Sequence, residues 1–119
     1  MSSRLTAYDV PSADGSTPLL LGYIRRDLLV TDGEVDRQKH LLESFAVSAG
    51  YRLAFVYVEQ RGYGDLSAFR GLLESTLDGQ VAAVVVPTLL HFSGLGHAGG
   101  FAGTFEQFTG ARVLTAASP

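Results

Sequence analysis

The 119 residues include no cysteine and no tryptophan, and only one lysine, Lys39. Without cysteine, disulfides, thiolate metal sites and a cysteine nucleophile are excluded. Charge is scarce as well. Charged residues make up 18% of the chain, against about 25% in an ordinary soluble domain. Nine basic and twelve acidic side chains leave a net charge of -3. A small domain that grips nucleic acid unaided is usually basic, so DNA binding by this chain alone is not expected. Apolar runs such as Val81–Val86 are far short of a membrane span. The first ten residues, MSSRLTAYDV, lack a basic stretch followed by an apolar one, so no signal peptide is expected and the cytoplasm is the expected compartment.

Hydrophobic residues are plentiful at 46%, enough to bury one core. Residues 1–18 are rich in Ser, Asp, Gly, Thr and Pro and read as a mobile arm, with a short extended piece over residues 5–10. Residues 19–119 form the domain. Leu19–Arg25 is a short apolar run of the kind buried on both faces of a sheet. Thr31 and Glu34 have capping-box spacing. Val35, Leu42, Phe45, Ala46 and Ala49 then share one helical face, and Gly50 suits the left-handed position that ends a helix. Arg52–Glu59 is β-branched and aromatic and reads as a second strand. After the loop QRGYGD, Asp65 or Ser67 is placed to cap a helix with Leu66, Phe69, Leu73 and Leu77 on its apolar face, stopped by Gly79. Val81–Val86 is a third buried strand, ended by Pro87. A glycine-weakened helix over residues 97–108 carries Phe101, Phe105 and Phe108, read as core. Residues 111–116 form a fourth strand. Strand and helix alternate throughout, which predicts an α/β domain: a parallel sheet with right-handed crossovers and helices on both faces.

In such a sheet, sites form beyond the carboxyl ends of the strands. Arg25, Arg26 and Asp27 arrive there after the first strand, Glu59, Gln60 and Arg61 after the second, and Thr88 and His91 after the third. Arginines beside helix N-termini can hold an anion, or they are solvated or paired with Glu59 and Asp27. Other chemistries find no support. Asp27 has no acidic partners of the kind a phosphorylation or Mg²⁺ site needs, since the third strand closes on Pro87 and Thr88. His91 and Ser93 lack an acid partner and a nucleophile elbow. His91 and His97 lack a third metal ligand. Gly94, Gly96, Gly99 and Gly100 do not have dinucleotide-fingerprint spacing. No metal and no cofactor are expected.

Gly22-Tyr23-Ile24-Arg25, followed by the helix start TDGEVDRQ over residues 31–38, resembles the N-terminal catalytic domain of serine recombinases of the resolvase/invertase family. Val56 to Glu59, Phe69 to Leu73, GQVAAVVV over residues 79–86 and GARVL over residues 110–114 match later elements of that domain in order. The resemblance covers residues 20–115. It implies a three-layer fold with four mostly parallel strands in the order 2-1-3-4. The family cleaves DNA by attack of a serine hydroxyl on a phosphate, with arginines stabilising the charge.

Residue by residue, the resemblance retains Arg25 and replaces the rest. The nucleophile position falls on Asp27. The arginine opening the second helix falls near Leu66. The Leu-Asp-Arg-x-x-Arg motif after the third strand reads Leu89-Leu90-His91-Phe92-Ser93-Gly94. The chain stops after the fourth strand, so the family's long dimerising helix and helix-turn-helix domain are expected to be missing. The expectation is a domain with no catalytic residues that acts as a binding or regulatory module. Its cleft of Arg25, Arg26, Asp27, Arg61 and His91 is vestigial or holds an anion. A homodimer or another protein partner is expected, and no membrane. The competing reading is a small-anion-binding domain, or an enzyme of another class, using the same cleft.

Overall fold

The computed structural model describes residues 17–26, 31–60, 66–93 and 101–117. Four strands, β1 (Leu19–Arg25), β2 (Arg52–Glu59), β3 (Val81–Val86) and β4 (Arg112–Thr115), form one all-parallel sheet in the order β2-β1-β3-β4. The helices are α1 (Asp32–Ala49), α2 (Ser67–Leu77), the four-residue α3 (Leu90–Ser93) and α4 (Phe101–Thr109).

Burial follows from topology. β1 lies between β2 and β3, and Leu20 to Ile24 are buried. Alternate residues of a strand serve opposite faces. Leu21 and Tyr23 join Leu72 of α2, Phe92 of α3 and Phe105 of α4 in one core, while Leu20 and Ile24 join Leu42 and Ala46 of α1 in the other. One face therefore carries α2, α3 and α4, and the other carries α1.

Helix α1 starts and stops where its sequence says. The Thr31 side chain accepts from the Glu34 N–H at 3.1 Å. Glu34 turns its own carboxylate along the helix to Arg37 and Gln38, and the bonds from Gln38 and Arg37 hold it below the ordinary carboxylate range. Gly50, at φ 85°, sends its N–H to Val47 O, and Tyr51 sends its N–H to Ala46 O. This is the Schellman arrangement, and it requires the left-handed backbone that glycine adopts without strain.

Four details differ from the sequence reading. In α2 the line facing the sheet is Leu72 and Thr76, not Leu73 and Leu77, and Leu77 is half exposed. Phe69 and Leu73 are only partly buried against the same core, and Phe69 meets Tyr23 of β1 at 5.9 Å and Phe105 of α4 at 6.0 Å between ring centres. Thr76 is tolerated on the buried line because its hydroxyl donates to Leu72 O at 2.6 Å. In α1, Ala49 is exposed. In α4 the aromatic stripe divides, with Phe105 in the core and Phe108 66% exposed. The turn α3 was not anticipated. The 1–16 part of the expected arm, the segment 97–100 of the expected last helix and the glycines at 94 to 100 lie outside the described residues.

The sheet and α1 approach closely at Gly22. A methyl group there would lie 2.8 Å from Leu42 Cδ1 and 3.2 Å from Val56 Cγ2. Gly22→Ala is expected to destabilise the domain by about 1–3 kcal/mol through overpacking. A urea unfolding midpoint unchanged from the parent chain would contradict this packing.

Candidate functional site at the carboxyl edge of the sheet

Of the five cleft residues read from the sequence, Arg25, Arg26 and His91 are described, whereas Asp27 and Arg61 lie outside the described residues. β1 runs past its last registered pair with β3, Gly22 with Val85, and continues beside β2 until Arg25 faces Glu59. The registered pairing of β3 with β1 stops at Val85, and Pro87 has no N–H to donate, while on the other side the Val86 and Pro87 carbonyls still accept from Ala116 and Ala117. On the β1 side His91 takes over. It is 4% exposed, and its Nδ1 accepts from the Arg25 backbone N–H at 2.9 Å. An imidazole nitrogen that accepts carries no proton, so the neutral ring is fixed with its proton on Nε2. His91 thus serves as a side-chain extension of β3.

Position 91 is set by a short turn. Thr88 Oγ1 accepts from the Leu90 N–H, and Thr88 O accepts from the His91 N–H. The same turn seats Phe92 in the aromatic cluster, 5.6 Å from Tyr23 and 5.4 Å from Phe105 between ring centres. Arg26, one residue beyond β1, forms an ion pair with Asp32 in the first turn of α1. The sequence had offered Asp27 and Glu59 as partners for the arginines, and Arg26 uses neither in this pair.

Glu59 has a different task, one that sequence reasoning missed. It is 3% exposed. Its Oε1 accepts from the Phe69 N–H at 2.9 Å and from the Tyr23 hydroxyl at 3.0 Å, and its Oε2 accepts from the Ala68 N–H at 3.2 Å. The carboxylate closes β2 and caps α2, the role the sequence reading gave to Asp65 or Ser67; Asp65 lies outside the described residues. Ser67 is the first residue of the helix, and the residue before it, Leu66, has no capping side-chain bond. A negative charge at the positive end of a helix is favourable, and here it also meets two otherwise orphaned donors. The one signal in the sequence was indirect: the first turn of α2 has no acid of its own, so an acceptor must come from elsewhere.

This edge therefore brings together an arginine pair, a buried histidine and a buried carboxylate, with the last two engaged by the scaffold. A general acid or base must exchange its proton with substrate. His91 Nδ1 and both oxygens of Glu59 are already bonded to backbone or to Tyr23. Among the described residues no group of three His, Asp or Glu side chains could hold a metal ion, and no helix is long and apolar enough to cross a membrane. A hollow of about 550 Å³ lies at the opposite, amino edge, where Leu19, Arg52 and Val81 begin their strands.

Glu59→Ala is expected to strand the two α2 amides and the Tyr23 hydroxyl. The expected loss is about 2–4 kcal/mol in chemical denaturation, from a lost cap plus buried unsatisfied donors. Loss of less than about 0.5 kcal/mol, the usual ceiling for a surface change, would remove Glu59 from its structural role.

Comparison with protein-family models, curated proteins and solved structures gives no match for this chain.

Proposed function

We propose that this chain is a catalytically inactive, serine-recombinase-like α/β domain that works as a binding or regulatory module. The observation that carries the reading is the commitment of the carboxyl edge to architecture: Glu59 accepts three hydrogen bonds and His91 accepts the last N–H of β1. The likeness to the recombinase domain rests on the order of its motifs, and the strand order β2-β1-β3-β4 agrees with what that likeness implies. Phosphodiester cleavage by that route needs a hydroxyl nucleophile and clustered positive charge at the phosphate. The nucleophile position holds Asp27, and positions of the later arginine motif hold Leu90, His91 and Gly94. Loss of one charge-stabilising donor alone costs roughly 10²–10³ in rate.

The test is covalent attachment to supercoiled DNA, resolved on denaturing gels, with the Asp27→Ser variant alongside. No attachment by the parent chain is expected. Cleavage by the unmodified protein overturns the reading.

A second reading has its own support. The hydrogen bond between the Arg25 backbone and His91 brings two of the expected cleft residues to one spot, with Arg26 adjacent. A module holding a small anion there gains thermal stability from phosphate, sulfate or a nucleotide through linkage. The expected signature is a rise in melting temperature that disappears in Arg25→Ala. A flat response across the panel leaves only the first reading.

A further inference from the structure

β2 ends the sheet. β1 lies on its inner side, and among the described residues nothing pairs with its outer side. A bare strand edge is a template for another strand, and proteins ordinarily blunt it with lysine, proline, inward charge or a bulge. β2 is blunted only in its first half. Arg52 opens it, and the register with β1 shifts where Leu53 and Phe55 face Leu20 and Leu21. From Phe55 to Glu59 the strand pairs residue for residue with β1. Leu53 to Val58, LAFVYV, has no charge and no proline. Phe55 is 57% exposed, with its ring edge-on to Tyr57 at 4.7 Å between centres.

We propose that a second copy of this chain adds to this edge, β2 against β2 and antiparallel, making one continuous sheet of eight strands. The proposal rests on the outer edge of β2 and does not depend on how the arginine and histidine cleft is read.

The choice of occupant follows from the strand itself. With a two-fold axis through Val56, Phe55 of each chain faces Tyr57 of the other, and Val56 faces Val56. Cross-strand aromatic and β-branched pairs of this kind are favourable. Direction follows from charge. The antiparallel arrangement sets the two Arg52 side chains about 26 Å apart, eight positions at about 3.3 Å each. A parallel in-register arrangement would place them directly opposite at about 5 Å and in repulsion.

Area supports the same occupant. Val56 packs in the α1 core and Tyr57 in the α2 core, so both helix layers flank this strand. An edge about 26 Å long and three layers high, with layers roughly 10 Å apart, offers on the order of 800 Å² per partner. That is the contribution per partner in a standard stable interface.

The absence of native cysteine makes the test direct. Sedimentation of the full chain is expected to show a monomer–dimer equilibrium. Phe55→Arg, a change at an exposed position, is expected to weaken it at least tenfold while its circular dichroism melt stays near that of the parent. Val56→Cys is expected to couple to its own copy under mild oxidation or with a short bis-maleimide. Arg112→Cys, on β4 at the far side of the sheet, is expected to stay uncoupled. Three results would each overturn the proposal: a monomer up to millimolar concentration, including one whose edge is taken by residues 1–16 of the same chain; a dimer unaffected by Phe55→Arg; or coupling at position 112 in place of 56.

Discussion

One carboxylate holds three elements of this domain in place. Glu59 ends an edge strand, accepts a hydroxyl bond from the middle of β1 and receives the first free amides of α2. Its burial is tolerated because three donors replace water: two belong to the backbone of α2 and one to a tyrosine whose ring packs on Phe69 and Phe92. The helix gains a cap it does not encode in its own first turn. The arrangement couples local and long-range structure, since α2 begins where β2 and β1 have already met.

The same economy governs the rest of the carboxyl edge. In α/β sheets this end is where strands part and where polar groups are free to face a ligand. Here the registered pairing of β3 with β1 stops at Val85, and His91 accepts the N–H of Arg25 beyond it. Arg26 is paired with the first turn of α1 through Asp32. Residue types that elsewhere move protons or grip phosphate are spent on joining strand ends to helix starts.

Much of the architecture was readable because it is written locally. Alternation of apolar strands with periodic helices dictates a parallel sheet, Thr31 marks the start of α1, and Gly50 marks its end. Each of these signals lies within a few residues of its effect. What escaped the reading depends on partners far along the chain. Leu77 belongs to an apolar repeat that looks core-facing, yet the residues of α2 buried against the sheet are Leu72 and Thr76. A threonine on that line is unremarkable only once its bond to Leu72 O is seen. Glu59 as the cap of α2 could not be read from the helix itself, and nothing near His91 in the sequence points to the Arg25 amide that its Nδ1 accepts from. The described cleft residues lie at the carboxyl edge of the sheet, and the contacts that engage Glu59 and His91 there span 36 and 66 positions.

The placement of β1 has a consequence for how the chain reaches this state. The first strand made is the one that must end up between two others. One neighbour, β2, begins at Arg52 and the other, β3, at Val81. Until the third strand has left the ribosome, one side of β1 lacks its partner. Long loops must close before those contacts reward the closure, which slows folding and prolongs exposure to wrong partners. A chain that ends before Val86 therefore lacks one of the two neighbours of β1.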